Sequence, residues 1–133
     1  MSTIFSRILR HELPASFVVE DLKAVAFMSI NPVTVGHTLV VPRVEIDHWT
    51  DLDEDHADAV LDLARRVAIA QKRAFSCDRV AFVIAGFEVP HCHLHLIPAN
   101  AMIDIDFSRA KSNVSRADLD DAAERIRLQL LAT

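Results

Sequence analysis

Apolar residues within positions 1–42 follow two different periods, which predict a short helix followed by three strands. Apolar positions at helical spacing predict a helix over 4–10. Runs of β-branched and aromatic residues then predict strands at 17–20, 24–28 and 38–41. Turn-forming residues separate these runs, and short connections favour antiparallel neighbours. The pattern therefore predicts an antiparallel meander at the start of the fold.

The rest of the chain predicts one long helix, two further strands and a C-terminal helix. Apolar residues recur at helical spacing over 53–75, with acidic residues at the start and basic residues near the end, as the helix dipole favours. Apolar runs at 79–85 and 91–97 predict strands four and five. Ser115 suits the N-cap of a last helix. The predicted class is α+β: a five-stranded antiparallel meander sheet with one long helix, a short N-terminal helix and a C-terminal helix.

The length of the chain limits the number of domains that it can form. A chain of 133 residues can bury one core, so we expect a single domain over 1–133, with a core of about 3–98 and an extension over 99–133. The irregular link over 99–114 carries Asp104, Asp106 and Arg109, which are either solvated or functional.

Charge, hydropathy and cysteine usage argue against several partners. The net charge of −5 argues against a sequence-independent grip on nucleic acid. No apolar run approaches the roughly 18 residues that a membrane span needs, so we expect no membrane partner. The two cysteines, Cys77 and Cys92, show no metal-type pairing, which favours a reducing compartment and a cytoplasmic location.

Three histidines at alternate positions are the candidate chemistry. If 91–97 is a strand, His91, His93 and His95 share one face, and the apolar residues between them face a core. Imidazoles titrate near physiological pH, so such a row suits nucleophilic attack on phosphorus or the binding of zinc. Only two glycines occur, Gly36 and Gly86, so no Gly-rich phosphate loop can form.

This row resembles the signature of the histidine triad (HIT) family of nucleotide-binding hydrolases, in which His-x-His-x-His is followed by two apolar residues, here Leu96 and Ile97. Further segments resemble the same family in the same order: 4–8, 14–21, 26–32 and 36–42. The resemblance covers roughly residues 3–98. It implies a homodimer formed through the long helix and strand four, a purine nucleotide as the partner, and no cofactor.

The resemblance also implies a reaction. The middle histidine, His93, attacks the α-phosphorus and forms a nucleotidyl-histidine, which water hydrolyses to a nucleoside monophosphate. His91 and His95 are expected to contact the phosphate and the bridging atom, and His37 completes the cluster. A third histidine rather than glutamine, at His95, favours hydrolysis over transfer. The leaving group stays open between the amine of a phosphoramidate and the nucleotide of a dinucleoside polyphosphate.

A nucleotide site follows from the same resemblance. The positions expected to enclose the base are Ile4, Phe5, Ile8, Phe27 and Ile30. Ser29 stands where the family has an aspartate for the ribose, and Asn31 can compensate. Glu88 and Val89 fall on the phosphate-binding segment, and Glu88 replaces a hydroxyl donor. Its carboxylate is expected to point away, to bind a cationic or hydroxylated leaving group, or to mark an unusual substrate.

Two other functions remain open at this point. The altered segment around Glu88 is compatible with a purine-nucleotide-binding module that has lost turnover. The three histidines are also compatible with a metal-dependent hydrolase, with Glu88 as a nearby carboxylate.

We predict no metal site in this chain. Some family members hold a structural zinc with an N-terminal Cys-x-x-Cys pair and a histidine in the region of His48. Here Thr3 or Phe5, and Ser6, stand at the cysteine positions, so we expect no such zinc. His11, His48 and His56 are expected to be ordinary surface residues or satisfied core residues.

Overall fold

The fold is an α+β arrangement of five strands and three helices, which confirms the predicted class. The computed structural model describes residues 2–132. The strands are β1 (Phe17–Glu20), β2 (Ala24–Met28), β3 (Thr38–Pro42), β4 (Arg79–Val83) and β5 (Leu94–Ala99). The helices are α1 (Ile4–Leu9), α2 (Glu54–Phe75) and α3 (Arg116–Leu131). Within the described part of the chain, no helix has the length and hydropathy needed to cross a membrane.

The order of strands in the sheet differs from a continuous meander. The strands lie in the order β1-β2-β3-β5-β4, and every neighbouring pair is antiparallel. The predicted meander holds for β1 to β3 only. After β3 the long helix α2 crosses the sheet, and the next strand, β4, does not pair with β3 but forms the far edge. The last strand, β5, then lies between β3 and β4. His95 on β5 is consequently paired on both sides, with Leu39 of β3 and Val83 of β4.

The strand that carries the histidine row begins later than predicted. We expected it over 91–97, whereas β5 runs from Leu94 to Ala99. The residues before Leu94 bond outside the ladder: the Cys92 N–H donates to the Ile46 carbonyl at 2.7 Å, and the His91 N–H donates to the Val89 carbonyl at 2.8 Å. The expected alternation survives this change, because Cys92 and Leu94 pack into the main core on the side away from the imidazoles.

Two apolar clusters cover the two faces of the sheet. The main core lies between the sheet, α2 and α3, and Leu63 of α2 and Ile126 of α3 are fully buried in it. Burying side chains of this size contributes about 1.5–3 kcal/mol each. Ser16 beside β1 also donates to Asp120 of α3 at 2.6 Å. The helix of the predicted extension is therefore part of the main core. A smaller cluster seats α1 on the opposite face through Phe5 and Ile8.

Candidate active site

A cavity of about 480 Å³ lies on the face of the sheet that carries α1. It is lined by His37, His93, His95 and by all nine residues expected at the nucleotide: Ile4, Phe5, Ile8, Phe27, Ser29, Ile30, Asn31, Glu88 and Val89. These residues come from α1, the end of β2, the loop before β3, the loop before β5, and β5 itself. Segments far apart in sequence thus meet around one space of the size that small ligands occupy.

The part of the cavity away from the histidines is apolar. The rings of Phe5 and Phe27 meet edge to face, with centroids 5.7 Å apart. Ile4 and Ile30 are 46% and 54% exposed, so each offers apolar surface to whatever enters. A slot of this kind can accept a flat aromatic ring with little hydrogen-bonded readout.

His93 directs its Nε2 toward the cavity. Its Nδ1 lies 2.8 Å from the carbonyl oxygen of His91, and only an N–H can make that bond. The neutral ring therefore carries its hydrogen on Nδ1 and a lone pair on Nε2. The ring is 2% exposed and is packed edge to face against Phe5, with centroids 5.0 Å apart. Its orientation is thus fixed by both a hydrogen bond and packing.

A directional chain of hydrogen bonds fixes the tautomers of the other two cavity histidines. The Val33 backbone N–H donates to His37 Nδ1 at 3.0 Å, so neutral His37 carries its hydrogen on Nε2. That nitrogen lies 2.9 Å from His95 Nδ1, which must then accept. Neutral His95 therefore carries its hydrogen on Nε2. This Nε2 is buried and has no partner within the described residues, so it is a donor directed at the cavity.

Burial keeps both of these histidines uncharged. Burial, with the nearby His93, lowers the pKa of His95 to about 4. Burial, with the nearby His95, lowers the pKa of His37 to about 3. Near neutral pH the pair therefore supplies a hydrogen-bond donor and no positive charge.

Glu88 contacts the cavity-facing nitrogen of His93. Its Oε2 lies 3.1 Å from His93 Nε2, and its side chain is 53% exposed. A carboxylate and an imidazole lone pair are both acceptors, so this contact requires one proton between the two atoms. Partial burial by itself raises the pKa of Glu88, but its own backbone N–H and His93 outweigh burial and hold that pKa below the usual value. Ligand atoms of Glu88, His93 and His95 also lie within 4.8 Å of one another.

His91 lies behind the cavity rather than in its wall, whereas the resemblance implied a phosphate contact. Its Nε2–H donates to the Pro42 carbonyl at 2.9 Å, and its Nδ1 accepts from Thr3 Oγ1 at 3.0 Å. Burial, the largest influence, lowers its pKa. Both ring nitrogens are thus used inside the protein, and the contribution of His91 to the cavity is the carbonyl that orients His93.

Hydroxyl groups and a carboxylate fill the region where we expected no zinc. Ser6 Oγ donates to Glu45 Oε1 at 2.6 Å, and the Thr3 N–H donates to the same oxygen at 2.8 Å. His91 completes this group through Thr3. His48 lies elsewhere, exposed and bonded to Thr50. The residues around His91 therefore form a hydrogen-bonded support for it.

The sequence reasoning did not single out two residues that shape the site. Gln71 is fully buried, and its Nε2 lies 2.9 Å from the Gly36 carbonyl and 3.1 Å from the Leu96 carbonyl. Gln71 therefore links the loop before His37 to β5. The sequence feature that could have identified it is its position as a polar residue on the apolar face of α2. Phe107 packs its ring edge to face on His95, with centroids 4.8 Å apart.

The link that contains Phe107 is held by its own polar residues. Asp104 accepts from the Asn100 N–H at 2.8 Å, and Asp106 accepts from the Ser108 N–H at 3.0 Å. The Arg109 guanidinium donates to the Ile103 carbonyl at 3.3 Å. These three charged residues, left undecided by the sequence, thus stabilise the link that places Phe107 at the cavity.

Gly36 permits the close approach of the loop that precedes His37. Its φ is +95°, a conformation that side-chain-bearing residues rarely adopt. A Cβ at this position would lie 2.4 Å from a ring atom of Phe75. The carbonyl of Gly36 also accepts from Thr38 Oγ1 at 2.8 Å. The glycine is therefore needed for both conformation and space.

Comparison with known proteins identifies the family of this chain. The HIT domain model matches residues 10–102. An uncharacterized HIT-like protein of Borreliella burgdorferi is 38% identical over 102 residues, which cover 71% of this chain and 73% of that protein. The purine nucleoside phosphoramidase of Escherichia coli K12 is 32% identical over 101 residues, 71% of this chain and 85% of that enzyme. The crystal structure of a Hit-like protein from Bartonella henselae has a TM-score of 0.86 at 29% identity, covering 96% of both chains. This chain therefore belongs to the HIT family.

Proposed function

We propose that the chain hydrolyses a nucleoside 5′-phosphoramidate or a dinucleoside polyphosphate at the α-phosphorus, through a nucleotidyl intermediate on His93. The observation that carries the proposal is the fixed orientation of His93, whose Nδ1–H bonds the His91 carbonyl while Nε2 faces the cavity. An imidazole held in this way has the lone pair that nucleophilic catalysis needs. The phosphoramidase activity named for the Escherichia coli relative supports the same chemistry.

The reaction proceeds in two displacements. The lone pair of His93 Nε2 attacks the α-phosphorus, the bond to the leaving group breaks, and a phosphorus–nitrogen bond forms. The Nε2–H of His95 points into the cavity, where it can donate to a phosphoryl oxygen and stabilise the charge that develops there. Water then attacks phosphorus, the bond to His93 breaks, and a nucleoside monophosphate leaves. Glu88 has to move from His93 before the first attack, because it holds the attacking nitrogen.

The nucleoside is expected to enter the apolar part of the cavity. A purine fits between α1, through Ile4 and Phe5, and the β2 end, through Phe27 and Ile30. The Ser29 hydroxyl accepts from the Asn31 N–H at 3.2 Å, which leaves its own hydrogen free to reach a ribose oxygen. Stacking supplies the binding energy, so we expect purines to bind better than pyrimidines and adenine and guanine to bind similarly.

The test is the release of AMP from adenosine 5′-phosphoramidate by purified protein, with a chelator present. The wild type should release AMP, and His93→Ala should lose at least about a thousandfold in turnover. His56→Ala is the matched control, because His56 is a histidine outside the cavity whose ring, among residues 2–132, bonds the N-cap aspartate Asp53. Acid quenching during turnover, followed by mass spectrometry, should find AMP on the peptide that contains His93. Near-normal turnover by His93→Ala would refute the proposal.

Two specific contacts favour other functions, and the same assay separates them. Glu88 on His93 favours a nucleotide-binding module without turnover, which predicts tight AMP binding and no release by the wild type. The three ligand atoms within 4.8 Å favour a metal-dependent hydrolase, which predicts loss of activity with the chelator. The hydrogen bonds from Val33 through His37 argue against the metal, because they leave His95 with an N–H rather than a lone pair toward the cavity.

We also propose that the chain forms a homodimer through α2 and the edge strand β4. Trp49, Leu61 and Phe82 are 53%, 59% and 46% exposed, and they line one groove between these elements. Exposed apolar surface beside an unpaired strand edge suits association with a second copy. Sedimentation velocity should show a dimer, and Phe82→Glu should shift it to the monomer. We keep the cytoplasmic location as part of the proposal, since both cysteines are free.

A further inference from the structure

Glu88 is the one carboxylic acid among the described residues of the cavity wall. Among the lining residues that the structure describes there is no second carboxylate and no lysine or arginine. The carboxylate lies directly on the nitrogen of His93 that attacks phosphorus in the proposed function, 3.1 Å away. The space beside His93 and Glu88 is therefore the place into which a leaving group would emerge. With the proton that Glu88 and His93 share, the pair carries no net charge.

The two classes of leaving group that the proposed function allows differ in their need for a proton. A nucleotide or polyphosphate leaves as a stable anion and needs none. An alkylamine would leave as a strongly basic anion, so its nitrogen must gain a proton as the bond to phosphorus breaks. A site that cleaves phosphoramidates of such amines must therefore hold an acid within reach of the departing nitrogen.

His95 and His37 cannot supply that proton near neutral pH. Both rings are neutral, because burial lowers the pKa of His95 to about 4 and that of His37 to about 3. Each carries one hydrogen, already fixed by the chain of bonds from Val33, and its loss would leave a buried anionic ring. Within the described cavity wall, the proton that can be donated to the leaving nitrogen without forming a buried anionic ring is the one between Glu88 and His93.

We propose that Glu88 is the leaving-group acid of this site, required for leaving groups that must gain a proton and dispensable for those that depart as stable anions. This inference rests on the proposed function and names a further catalytic residue for it. It follows from the position of the carboxyl group beside the attacking nitrogen and from its half-exposed and therefore movable side chain.

The proton that the leaving nitrogen gains comes from the site itself, so the step needs no outside proton donor. In the free protein one proton lies between the Glu88 carboxylate and His93 Nε2. When substrate binds, Glu88 takes this proton and turns from His93 toward the leaving nitrogen. The lone pair of Nε2 then forms a bond to phosphorus, the phosphorus–nitrogen bond of the substrate breaks with its electron pair on nitrogen, and Glu88 gives that nitrogen its proton. The products are a neutral amine, an ionised Glu88 and nucleotidyl-His93, whose later hydrolysis consumes one water.

The experiment compares three substrates that share AMP and differ in the leaving group. They are the alkylamide of AMP, its p-nitrophenyl ester, and diadenosine tetraphosphate, measured with wild type, Glu88→Gln and Glu88→Asp. The glutamine keeps the shape and cannot donate the acid proton. We expect Glu88→Gln to lower kcat for the alkylamide by about 10²- to 10⁴-fold, the usual contribution of a general acid. We expect the ester and the tetraphosphate, whose leaving groups need no proton, each to change by less than about fivefold.

The controls separate this role from a structural one. Glu88→Asp should recover part of the alkylamide activity, and Glu54→Gln, an exposed change on α2, should leave all three rates unchanged. Equal losses on all three substrates, or an unchanged alkylamide rate in Glu88→Gln, would overturn the inference. Turnover of the ester by the wild type reports on the proposed function separately. If none of the three substrates releases AMP, the proposed function fails, and the role of Glu88 fails with it.

Discussion

Replacing Gly36 by alanine tests how closely the loop before His37 is packed against the long helix. The added Cβ would meet three ring atoms of Phe75 at 2.4, 2.7 and 2.8 Å. Overpacking of this kind costs about 1–3 kcal/mol. The positive φ of +95° costs about a further 1–2 kcal/mol for a side-chain-bearing residue, and the stiffer unfolded chain returns about 0.4–1 kcal/mol. We expect a net loss of about 1–4.5 kcal/mol in the free energy of unfolding.

Gly86→Ala is a matched control for this change. Gly86 has a similar φ of +85°, but a Cβ there would meet nothing within 4 Å. It should therefore show the conformational cost alone, about 0–1.5 kcal/mol after the gain in the unfolded state. The difference between the two variants, about 1–3 kcal/mol, isolates the contact with Phe75.

Urea unfolding followed by far-UV circular dichroism measures both variants, and an unchanged m-value shows that the unfolded state is comparable. Phe75→Ala makes space for the new methyl group, so the cost of Gly36→Ala in that background should fall to the cost of Gly86→Ala. The reasoning is refuted if the two glycine variants lose the same free energy. It is also refuted if removing the Phe75 ring leaves the cost of Gly36→Ala unchanged.

Three further perturbations test the hydrogen bonds behind the cavity. Gln71→Leu removes the amide donor from two buried carbonyls, of which Gly36 keeps the Thr38 hydroxyl, so urea unfolding should show a loss of about 1–3 kcal/mol, and a loss under about 0.5 kcal/mol would contradict this. Thr3→Val removes the donor to His91, so kcat should fall severalfold with KM little changed; Thr3→Ser should restore it, and equal effects of valine and serine would exclude the hydrogen bond as the cause. His37 and His95 bind protons near pH 6.5 when unfolded but only near 3 and 4 when folded. Stability should therefore fall as the pH drops from about 6.5 to 4, by at most about 1.4 kcal/mol per pH unit for each histidine. His95→Gln should reduce that slope in urea titrations, and a slope unchanged by the variant would contradict the assignment.

Much of the local structure was predictable because it depends on short-range pattern. The apolar period of α2, the acidic residues at its start and the Ser115 N-cap of α3 each depend on neighbours within a few residues. The Asp118 N–H does donate to Ser115 Oγ, at 3.1 Å. The turn-forming residues between the apolar runs correctly predicted the limits of β1 and β2. These features need no knowledge of what packs against them.

The errors occur where distant segments decide the outcome. The place of β5 between β3 and β4 depends on the path of α2 across the sheet, which no residue of β5 encodes. The period of two placed three imidazoles on one face, but it could not show that α1 would cover His91 through Thr3 and exclude it from the cavity. The role of Phe107 depends likewise on how the link after β5 folds back onto His95.

The bond from the Val33 N–H to His37 has an evolutionary consequence. A single main-chain amide sets which nitrogen of two successive imidazoles bears hydrogen, and through them it sets which kind of atom His95 offers to a ligand. A peptide N–H is supplied by every amino acid except proline, so drift in the side chain at position 33 leaves this setting intact. The loop can therefore diversify to suit new nucleosides while the hydrogen-bonding character of the reaction centre is inherited unchanged.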